Sequence, residues 1–464
     1  MPASDAERQL IGDIWTSDEP YQNLLWLCDE IGNRWAGSAS EHAAGEFIRD
    51  KLIAYGLQNV RLEPVEFGAW ERGEASLRMT APVSKAFSCI ALPYCPAGEI
   101  EAELIDVGEG EEEDFARLGD AVRGKIAISA AETNPAGRPN GKASHRTDKL
   151  ARAVAAGAIG FVFVNQNPGM LHITGGIGGP GGTPAPIIGV GVSWETGSAI
   201  LRLARRGGAR LALRTTGRFF QNTSYNVVGE IVGSNPDELV LAGAHYDGHD
   251  ISQGALDDGA GTVVCMEAAR ALAALPREAI GRTLRFVLFC GEEVGLFGSW
   301  AYVAAHADES DRTRFMLNLD TAGRGKGGSE SLQLTGPPDL IPYFQAHSRA
   351  AAYDYPVGHR FQSHSDHFPY ALRGIPTATL SSPDDKSALV GRGWGHTEAD
   401  TVDKATLRGL QMAAVLTARL MLQVSTDPAF PGRRRSRDEV LAQVREAGME
   451  ERLAKTGRLD LAGR

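Results

Sequence analysis

The sequence is poor in cysteine and contains no long apolar run. Its five cysteines are scattered along 464 residues, and none of them forms a CxxC pair, which argues against a disulfide framework. We therefore expect reduced thiols in the core of a cytoplasmic protein. No run reaches the roughly 18 apolar residues that a membrane helix needs. The opening stretch, MPASDAERQLIGDIW, lacks the charged and apolar regions of a signal peptide.

Positive charge is also scarce, with 47 Lys and Arg against 58 Asp and Glu and a formal net charge of −11. Nucleic acids and anionic membranes bind basic faces, so we expect neither as a partner. There is no GxSxG motif, which argues against a serine hydrolase. GIGGPG at 176–181 fits GxGxxG, but its proline and the lack of a preceding strand and a following helix argue against a dinucleotide site.

The pattern of the chain divides it into four parts. Residues 1–97 begin with helical patterns and continue with two predicted strands, and residues 98–222 contain the short β-type runs of a β-rich insert. Residues 223–425 alternate strands with helices, which is typical of a mainly parallel sheet covered on both faces. Residues 426–464 form a charged helical tail, which we expect to dock on the body or on a second copy, after an arginine run in a solvated turn. The predicted class is α/β, a mainly parallel mixed sheet flanked by helices with an inserted β-rich domain.

Acids and histidines follow three predicted strands and occupy two loops. LVLAGAHYD, LRFVLFCGEE and FMLNLD carry such residues at their carboxyl ends, and GALDDGAGT and GWGHTEADT supply more from loops. In an open parallel sheet the carboxyl ends of the strands converge on one crevice. We therefore expect one shared site that contains His245, Asp247, Asp257, Asp258, Glu292, Glu293, Asp320 and His396.

So many carboxylates in one crevice would repel one another unless a cation neutralised them. Histidine nitrogen with carboxylate oxygen is a ligand set that suits zinc, and a pair of metal ions needs one carboxylate that bridges them. One aspartate of LDDG is the candidate bridge, since the small residues around it let the backbone approach closely. Each motif alone has an ordinary explanation as a packed histidine, a helix first turn or a loop turn. Their joint occurrence favours metals.

Three further histidines leave alternatives open. His364 and His367 in SHSDHFPYA are either ligands or part of a polar loop that faces the same cleft. His249, two residues after Asp247, is expected to support a ligand rather than to bind a metal.

The motifs HYD, GALDDGAG, EEVGLFGS, NLD and HTEADT, which span residues 245–403, resemble in their order those of the co-catalytic di-zinc exopeptidases. That family includes the bacterial aminopeptidase and carboxypeptidase Q types. Upstream, VRLEPVEFGAWERGE is similar to the carboxypeptidase Q branch, and the block 98–222 resembles a protease-associated domain inserted between two halves of the peptidase. The resemblance covers nearly the whole chain and is weakest after residue 426.

The metal ligands that the resemblance implies are all present. Two zinc ions, for which cobalt or manganese could substitute, would be the cofactor. His245 and Asp320 would hold one ion, Glu293 and His396 would hold the other, and Asp257 would bridge them. The family also joins the bridging aspartate to the next residue by a cis peptide bond.

The implied activity is hydrolysis of a peptide bond at a chain terminus. Glu292 would act as the general base, and Asp247 would orient His245. An aminopeptidase acting on peptides is the first expectation. A dipeptidase or carboxypeptidase of the carboxypeptidase Q type and a hydrolase of a non-peptide amide stay open, because the motifs do not reveal which end of the substrate is bound. No ligand is missing, which argues against a binding protein with vestigial metals, and a homodimer is expected.

Overall fold

The computed structural model of the chain describes residues 4–131, 144–328, 330–336, 338–350, 355–382 and 393–463. Two eight-stranded sheets form its framework. The strands are β1 (Gln58–Glu71), β2 (Ala75–Ala81), β3 (Lys85–Phe87), β4 (Ile90–Ala91), β5 (Gly98–Asp106), β6 (Ile126–Ala130), β7 (Gly160–Val164), β8 (Ile188–Val192), β9 (Arg210–Thr215), β10 (Arg218–Ile231), β11 (Asn235–His245), β12 (Arg282–Phe289), β13 (Thr313–Asn318), β14 (Ser331–Thr335), β15 (Val357–His359) and β16 (Thr377–Ser381). The α-helices are α1 (Asp5–Thr16), α2 (Glu19–Leu25), α3 (Ala39–Ala54), α4 (Glu112–Leu118), α5 (Arg146–Ala155), α6 (Trp194–Ala204), α7 (Ala260–Ala273), α8 (Phe297–Ala305), α9 (Ile341–Ala350), α10 (His367–Leu372), α11 (Leu407–Thr426), α12 (Arg437–Glu446) and α13 (Glu450–Lys455).

The first sheet has the strand order β1-β10-β12-β11-β13-β16-β14-β15. Its four central strands, β12, β11, β13 and β16, run parallel, and antiparallel pairs lie toward its edges. Every residue of β12 is buried, as expected for a parallel strand with both faces covered. The predicted α/β class with a mixed sheet is confirmed, and the carboxyl ends of the four central strands lie at one rim.

The central strands contribute to two cores on opposite faces of this sheet. Successive side chains of a strand point to opposite faces. On β11, Val240 and Ala242 belong to a core that includes the buried residues of α7 and α11. Leu239 and Leu241 belong to the other core, with Tyr302 of α8. Helices thus hold the sheet from both sides and fix the position of its rim.

The second sheet has the order β3-β2-β9-β5-β6-β7-β8-β4, with β5 to β8 parallel at its centre. Its own apolar core includes Leu77, Ile128, Val162, Val190 and Leu213. This unit is the expected β-rich insert. Strands β2 and β4 precede residue 98 yet pair with β9 and β8, so the sheet reaches beyond the range 98–222. The domain boundaries themselves stay predictions.

The C-terminal tail packs on the body of its own chain. Val440 and Val444 of α12 and Leu453 of α13 are buried in a cluster with Phe368 and Leu372 of α10. Phe368 and Leu453 line the same cleft as Asp320, which follows β13, so the tail lies close to the carboxyl ends of the central strands. Among the described residues, no helix combines the length and the apolar character needed to cross a bilayer.

The arginine run 433–435 is not the solvated turn that the sequence suggests. Arg435 is only 5% exposed and pairs with Asp339 at 2.8 Å. Arg434 donates from Nε to the carbonyl oxygen of Arg373 at 3.0 Å. The long side chains reach carboxylate and carbonyl oxygens on the body, and the run therefore docks the tail.

Candidate metal centre and active site

The rim of the first sheet brings the predicted histidines and carboxylates together in two groups. His245 ends β11, the two glutamates follow β12, and Asp320 follows β13. Within each group, potential metal-ligating atoms lie within 4.8 Å of one another. One group consists of His245, Glu292 and Asp320, and the other consists of His249, Glu293 and His396. The sequence had placed all of these except His249 among the ligands or the base.

Asp257 lies between the two groups. Its Oδ1 is 3.6 Å from His245 Nε2, and its Oδ2 is 3.5 Å from His396 Nε2. It lies in the short turn Ala255–Gly259, where its own backbone is not helical, and the peptide bond between Asp257 and Asp258 is cis, as the resemblance implied. One carboxylate oxygen therefore faces each histidine, which is the arrangement that a bridging ligand needs.

Two buried groups hold the backbone and the charge of Asp257. The carboxylate of Asp400 accepts hydrogen bonds from the amides of Leu256 at 2.7 Å and of Asp257 at 3.1 Å. Arg324 Nη2 lies 3.3 Å from Asp257 Oδ1. Burial and Glu293 raise the pKa of the Asp257 carboxyl, but Arg324 and the two nearby histidines outweigh them, so its pKa lies below the ordinary value. Asp257 is therefore ready to bind a cation.

Asp247 connects the end of β11 to the loop after β12. Its Oδ1 accepts from the amide of Glu292 at 3.0 Å, and its Oδ2 accepts from the amide of Glu293 at 3.2 Å. The same Oδ1 lies 3.3 Å from His245 Nδ1. Because Nδ1 faces this carboxylate, Nε2 of His245 is left to face the cleft.

A loop of the insert, between β7 and β8, positions the histidine of the other group. His396 Nδ1 lies 3.1 Å from the carbonyl oxygen of Thr174, and the Thr174 amide donates to the His396 carbonyl at 3.0 Å. Its Nε2 is 3.2 Å from Glu293 Oε2. His396 has a φ of 61°, a left-handed conformation that a non-glycine residue keeps only where its surroundings impose it. The insert thus sets the orientation of a predicted ligand.

The buried carboxylate oxygens and imidazole nitrogens of the site fit a pair of divalent cations. Among the described residues, Glu293 Oε1, Asp258 Oδ2 and both ring nitrogens of His249 have no hydrogen-bond partner. His249 Nε2 is 3.0 Å from Glu293 Oε2, but without the alignment of a hydrogen bond. Burial and the negative charge of Asp320 raise the pKa of Glu292 well above its ordinary value, against the opposing effect of His245. Imidazole nitrogens and crowded carboxylate oxygens suit zinc.

Comparison with known proteins identifies the family. The sequence model of peptidase family M28 matches residues 226–421, and that of the PA domain matches residues 89–200. Aminopeptidase YwaD of Bacillus subtilis (strain 168) is 30% identical to the chain over an alignment of 430 residues, and the match covers 89% of this chain and 85% of YwaD. The chain belongs to peptidase family M28.

Other M28 relatives show the same likeness. Carboxypeptidase Q of Bos taurus is 30% identical over 317 residues, and the match spans 65% of this chain and 64% of the bovine protein. The solved structure of an aminopeptidase from Aneurinibacillus sp. strain AM-1 is 27% identical and superposes with a TM-score of 0.67, covering 90% of this chain and 96% of the other. The expected family, the protease-associated insert and the class of metal-dependent exopeptidase are confirmed. Some of these relatives are named aminopeptidases and others are named carboxypeptidase Q.

Sequence reasoning about this M28 peptidase missed several supports of the site. Asp400 lies in the quoted motif HTEADT, and Arg324 lies four residues after Asp320, so a signal existed for both. His249 was expected to support a ligand, and the structure places it among the possible ligand atoms. Nothing in the sequence around Thr174 indicates that its carbonyl faces a residue more than two hundred positions away.

The two open histidines lie outside the two donor groups of the described residues. His367 is buried in α10, with Nε2 3.2 Å from the carbonyl oxygen of Gln362, and burial lowers its pKa to about 4. It packs in the structure as a neutral core residue. His364 instead lines the cleft and stacks on His145 of the insert at 4.4 Å between ring centroids. The polar-loop interpretation therefore suits His364.

The two donor groups of this M28 peptidase open into a cleft of about 350 Å³. Three parts of the chain form its walls. The rim of the first sheet supplies the carboxylates, the insert supplies residues such as Arg146 and Gly178, and the tail supplies Arg452 and Arg458. The volume lies in the range of small-molecule sites and suits a short peptide.

Proposed function

We propose that this M28 peptidase releases the N-terminal residue of short peptides with two zinc ions as its cofactor. His245 and Asp320 would hold one ion, Glu293 and His396 the other, and Asp257 would bridge them. The observation that carries the proposal is the placement of Asp257, with one oxygen toward each of two histidines at 3.6 and 3.5 Å. Cobalt or manganese could replace zinc in such a ligand set.

The chain's own groups account for the proton transfers. When bound, the ions would polarise the scissile carbonyl and lower the pKa of the attacking water. Glu292 lines the cleft, and its Oε2 is 4.0 Å from His245 Nε2. It takes the proton of the water and then delivers it to the leaving nitrogen. Oδ1 of Asp247 contacts both the Glu292 amide and Nδ1 of His245, so this one oxygen fixes the Glu292 backbone relative to the His245 ring.

A second candidate activity is that of a dipeptidase of the carboxypeptidase Q type. Arg452 and Arg458 in the cleft wall favour it, because a dipeptidase must recognise a carboxylate next to the scissile bond. Hydrolysis of a non-peptide amide is a further alternative that the same centre could perform.

The experiment that separates these activities is a mass-spectrometric digest of di-, tri- and pentapeptides with free or blocked termini by the zinc-loaded protein. We expect stepwise loss of N-terminal residues, which N-terminal acetylation abolishes. Cleavage restricted to dipeptides would support the second candidate. Cleavage of none of these peptides would contradict a peptidase activity and direct the search to other amides.

We further propose a cytoplasmic location and a homodimer. Five free thiols, four of them buried, support a reducing compartment. The tail packs on its own chain and so no longer argues for a dimer. The likeness to the carboxypeptidase Q branch is the remaining support for the homodimer. Light scattering on the purified protein would test it, and a monomeric mass at working concentration would contradict it.

A further inference from the structure

The C-terminal tail forms part of the wall of the active-site cleft. Arg452 and Leu453 of α13, together with Arg458 in the turn that follows, line the same cleft as Glu292 and Asp320. The match to the M28 model ends at residue 421. These wall residues therefore lie outside the segment that carries the predicted metal ligands.

The tail is held firmly enough to position its side chains. Leu453 is 2% exposed and packs with Phe368 and Leu372 of α10. The guanidinium of Arg452 donates a hydrogen bond to the hydroxyl of Ser363. That of Arg458 lies over the Trp300 ring of α8, 4.4 Å from its centroid, a cation–π contact that fixes its plane.

The two guanidinium groups carry more positive charge than their described neighbours neutralise. The nearest carboxylate to Arg452 is that of Asp148 at 3.9 Å, a long distance for an ion pair. Among the described residues, Arg458 has no ion pair. Burial and the charge of Arg452 lower the pKa of Arg458 to about 10, which means that the two guanidinium groups repel each other. An anion between them would relieve this repulsion.

A carboxylate is the anion that suits this place. Guanidinium groups bind carboxylates through paired, charge-assisted hydrogen bonds. The acids that would hold the metal ions line the same cleft, and the scissile bond would bind beside those ions. A carboxylate beyond the scissile bond would bind farther along the cleft, since each extended residue adds about 3.3–3.6 Å.

We propose that Arg452 and Arg458 form a subsite of the cleft that binds a carboxylate of the peptide substrate. This inference rests on the proposed peptidase function and names its substrate class. The substrate is a short peptide with a carboxylate beyond the scissile bond, supplied by its C-terminus or by an acidic side chain. The tail thereby selects for peptide length and charge.

The test compares the kinetics of Arg452→Gln, Arg458→Gln and the wild type in the full-length, zinc-loaded protein. The substrates are Ala-Ala, Ala-Ala-amide and Ala-Glu-amide. Arg445→Gln is the matched control, because Arg445 belongs to the same tail but pairs with Glu450 at the surface. Loss of charge-assisted hydrogen bonds should raise KM for the preferred substrate about 10- to 100-fold with kcat little changed.

The pattern across substrates identifies the source of the carboxylate. A wild-type preference for Ala-Ala over both amides, lost in the two variants, indicates the C-terminus. A preference for Ala-Glu-amide, lost in the same way, indicates an acidic side chain. Variants that keep the wild-type ratio between acid and amide would overturn the proposal. Arg452→Lys should restore part of the affinity, and unchanged thermal unfolding excludes a folding defect.

A binding measurement separates this proposal from the proposed function. Calorimetric titration of Ala-Ala and its amide into Glu292→Gln, with and without Arg452→Gln, reports affinity in the absence of turnover. Tighter binding of the free acid that depends on Arg452 supports the subsite even if the wild type cleaves no peptide. Equal affinity for acid and amide contradicts the subsite even if peptides are cleaved.

Discussion

At the scale of single residues, the groups around Asp257 divide the work of the site. Asp257 and Glu292 face the cleft, whereas Asp247 and Asp400 contact backbone amides behind them. Those contacts set where the cleft carboxylates lie, because each acid holds two consecutive amides. The chemistry of one residue can therefore be changed while its neighbours keep their geometry.

Glu292→Gln tests the role of base. The substitution keeps the size of the side chain and removes its ability to accept a proton, so we expect zinc content to stay near normal. Turnover should fall about 10²- to 10⁴-fold. Metal analysis and kcat measured on the same sample check both statements.

Asp257→Asn is the contrasting variant. A neutral amide binds zinc poorly and cannot bridge two cations, so this protein should lose metal together with activity. Retention of both ions by Asp257→Asn would place the bridge elsewhere. Normal turnover by Glu292→Gln would remove the assignment of the base.

At the scale of elements, the contact between β8 and the segment before Thr174 decides how His396 is held. Gly191 of β8 lies directly beneath this segment, and a Cβ atom there would be 1.8 Å from the carbonyl oxygen of Ile173. A backbone carbonyl cannot move aside as a side chain can. A side chain at this position would displace the Ile173–Thr174 backbone, whose Thr174 carbonyl orients the His396 ring.

We expect Gly191→Ala to weaken zinc binding about 10- to 100-fold, the usual effect of losing a group that orients a ligand. Gly189→Ala is the matched control on the same strand, since its Cβ would meet the end of the flexible Ile177 side chain at 2.8 Å. Competitive titration with a zinc chelator measures both affinities. Equal zinc affinities of the two variants would show that the position of the Ile173–Thr174 backbone does not affect zinc binding.

A second connection between elements makes stability depend on pH. His306, after α8, lies 3.0 Å from Glu63 of β1 and 3.1 Å from Glu309. These two acids raise the pKa of His306 to about 9, against the effect of burial. A raised pKa means that the contribution to stability is complete below the unfolded value and is lost as the pH rises through the folded one.

The free energy of unfolding should therefore fall between about pH 6.5 and 9, by about 2 kcal/mol after allowance for partial solvent exposure. Urea denaturation of the wild type and of His306→Gln at both ends of this window checks the sign. The two proteins should differ more at the acid end. A difference that grows toward alkaline pH would contradict the assignment.

At the scale of the whole molecule, the sequence predicted what depends on local pattern. The strand ends are short and strongly patterned, so His245, Glu293 and Asp320 could be placed at one rim from the topology of parallel sheets alone. The contacts of Thr174 and Arg452 could not be predicted in this way. They join segments far apart in the chain, and only the packing of the insert and the tail on the body brings them to the cleft.

Removal of metal should affect the molecule as a whole. Phenanthroline should abolish activity, and added zinc should restore it. The melting temperature should fall as well, because a ligand that binds only the native state stabilises it, by about 2.7 kcal/mol at one hundred times its dissociation constant. Activity and melting curves measured on the same chelated sample check this. A chelated protein with unchanged activity would contradict metal dependence.

The hydrogen bonds between Thr174 and His396 tie the insert to the predicted metal ligand, and thermodynamic reciprocity gives this tie a further consequence. If docking of the insert strengthens zinc binding by a certain free energy, zinc binding must stabilise the docked insert by the same free energy. The contact between the insert and the body should therefore be more stable in the zinc-loaded protein than in the metal-free protein. The insert–body contact is thus a part of the molecule, away from the catalytic groups, at which metal loading should be detectable.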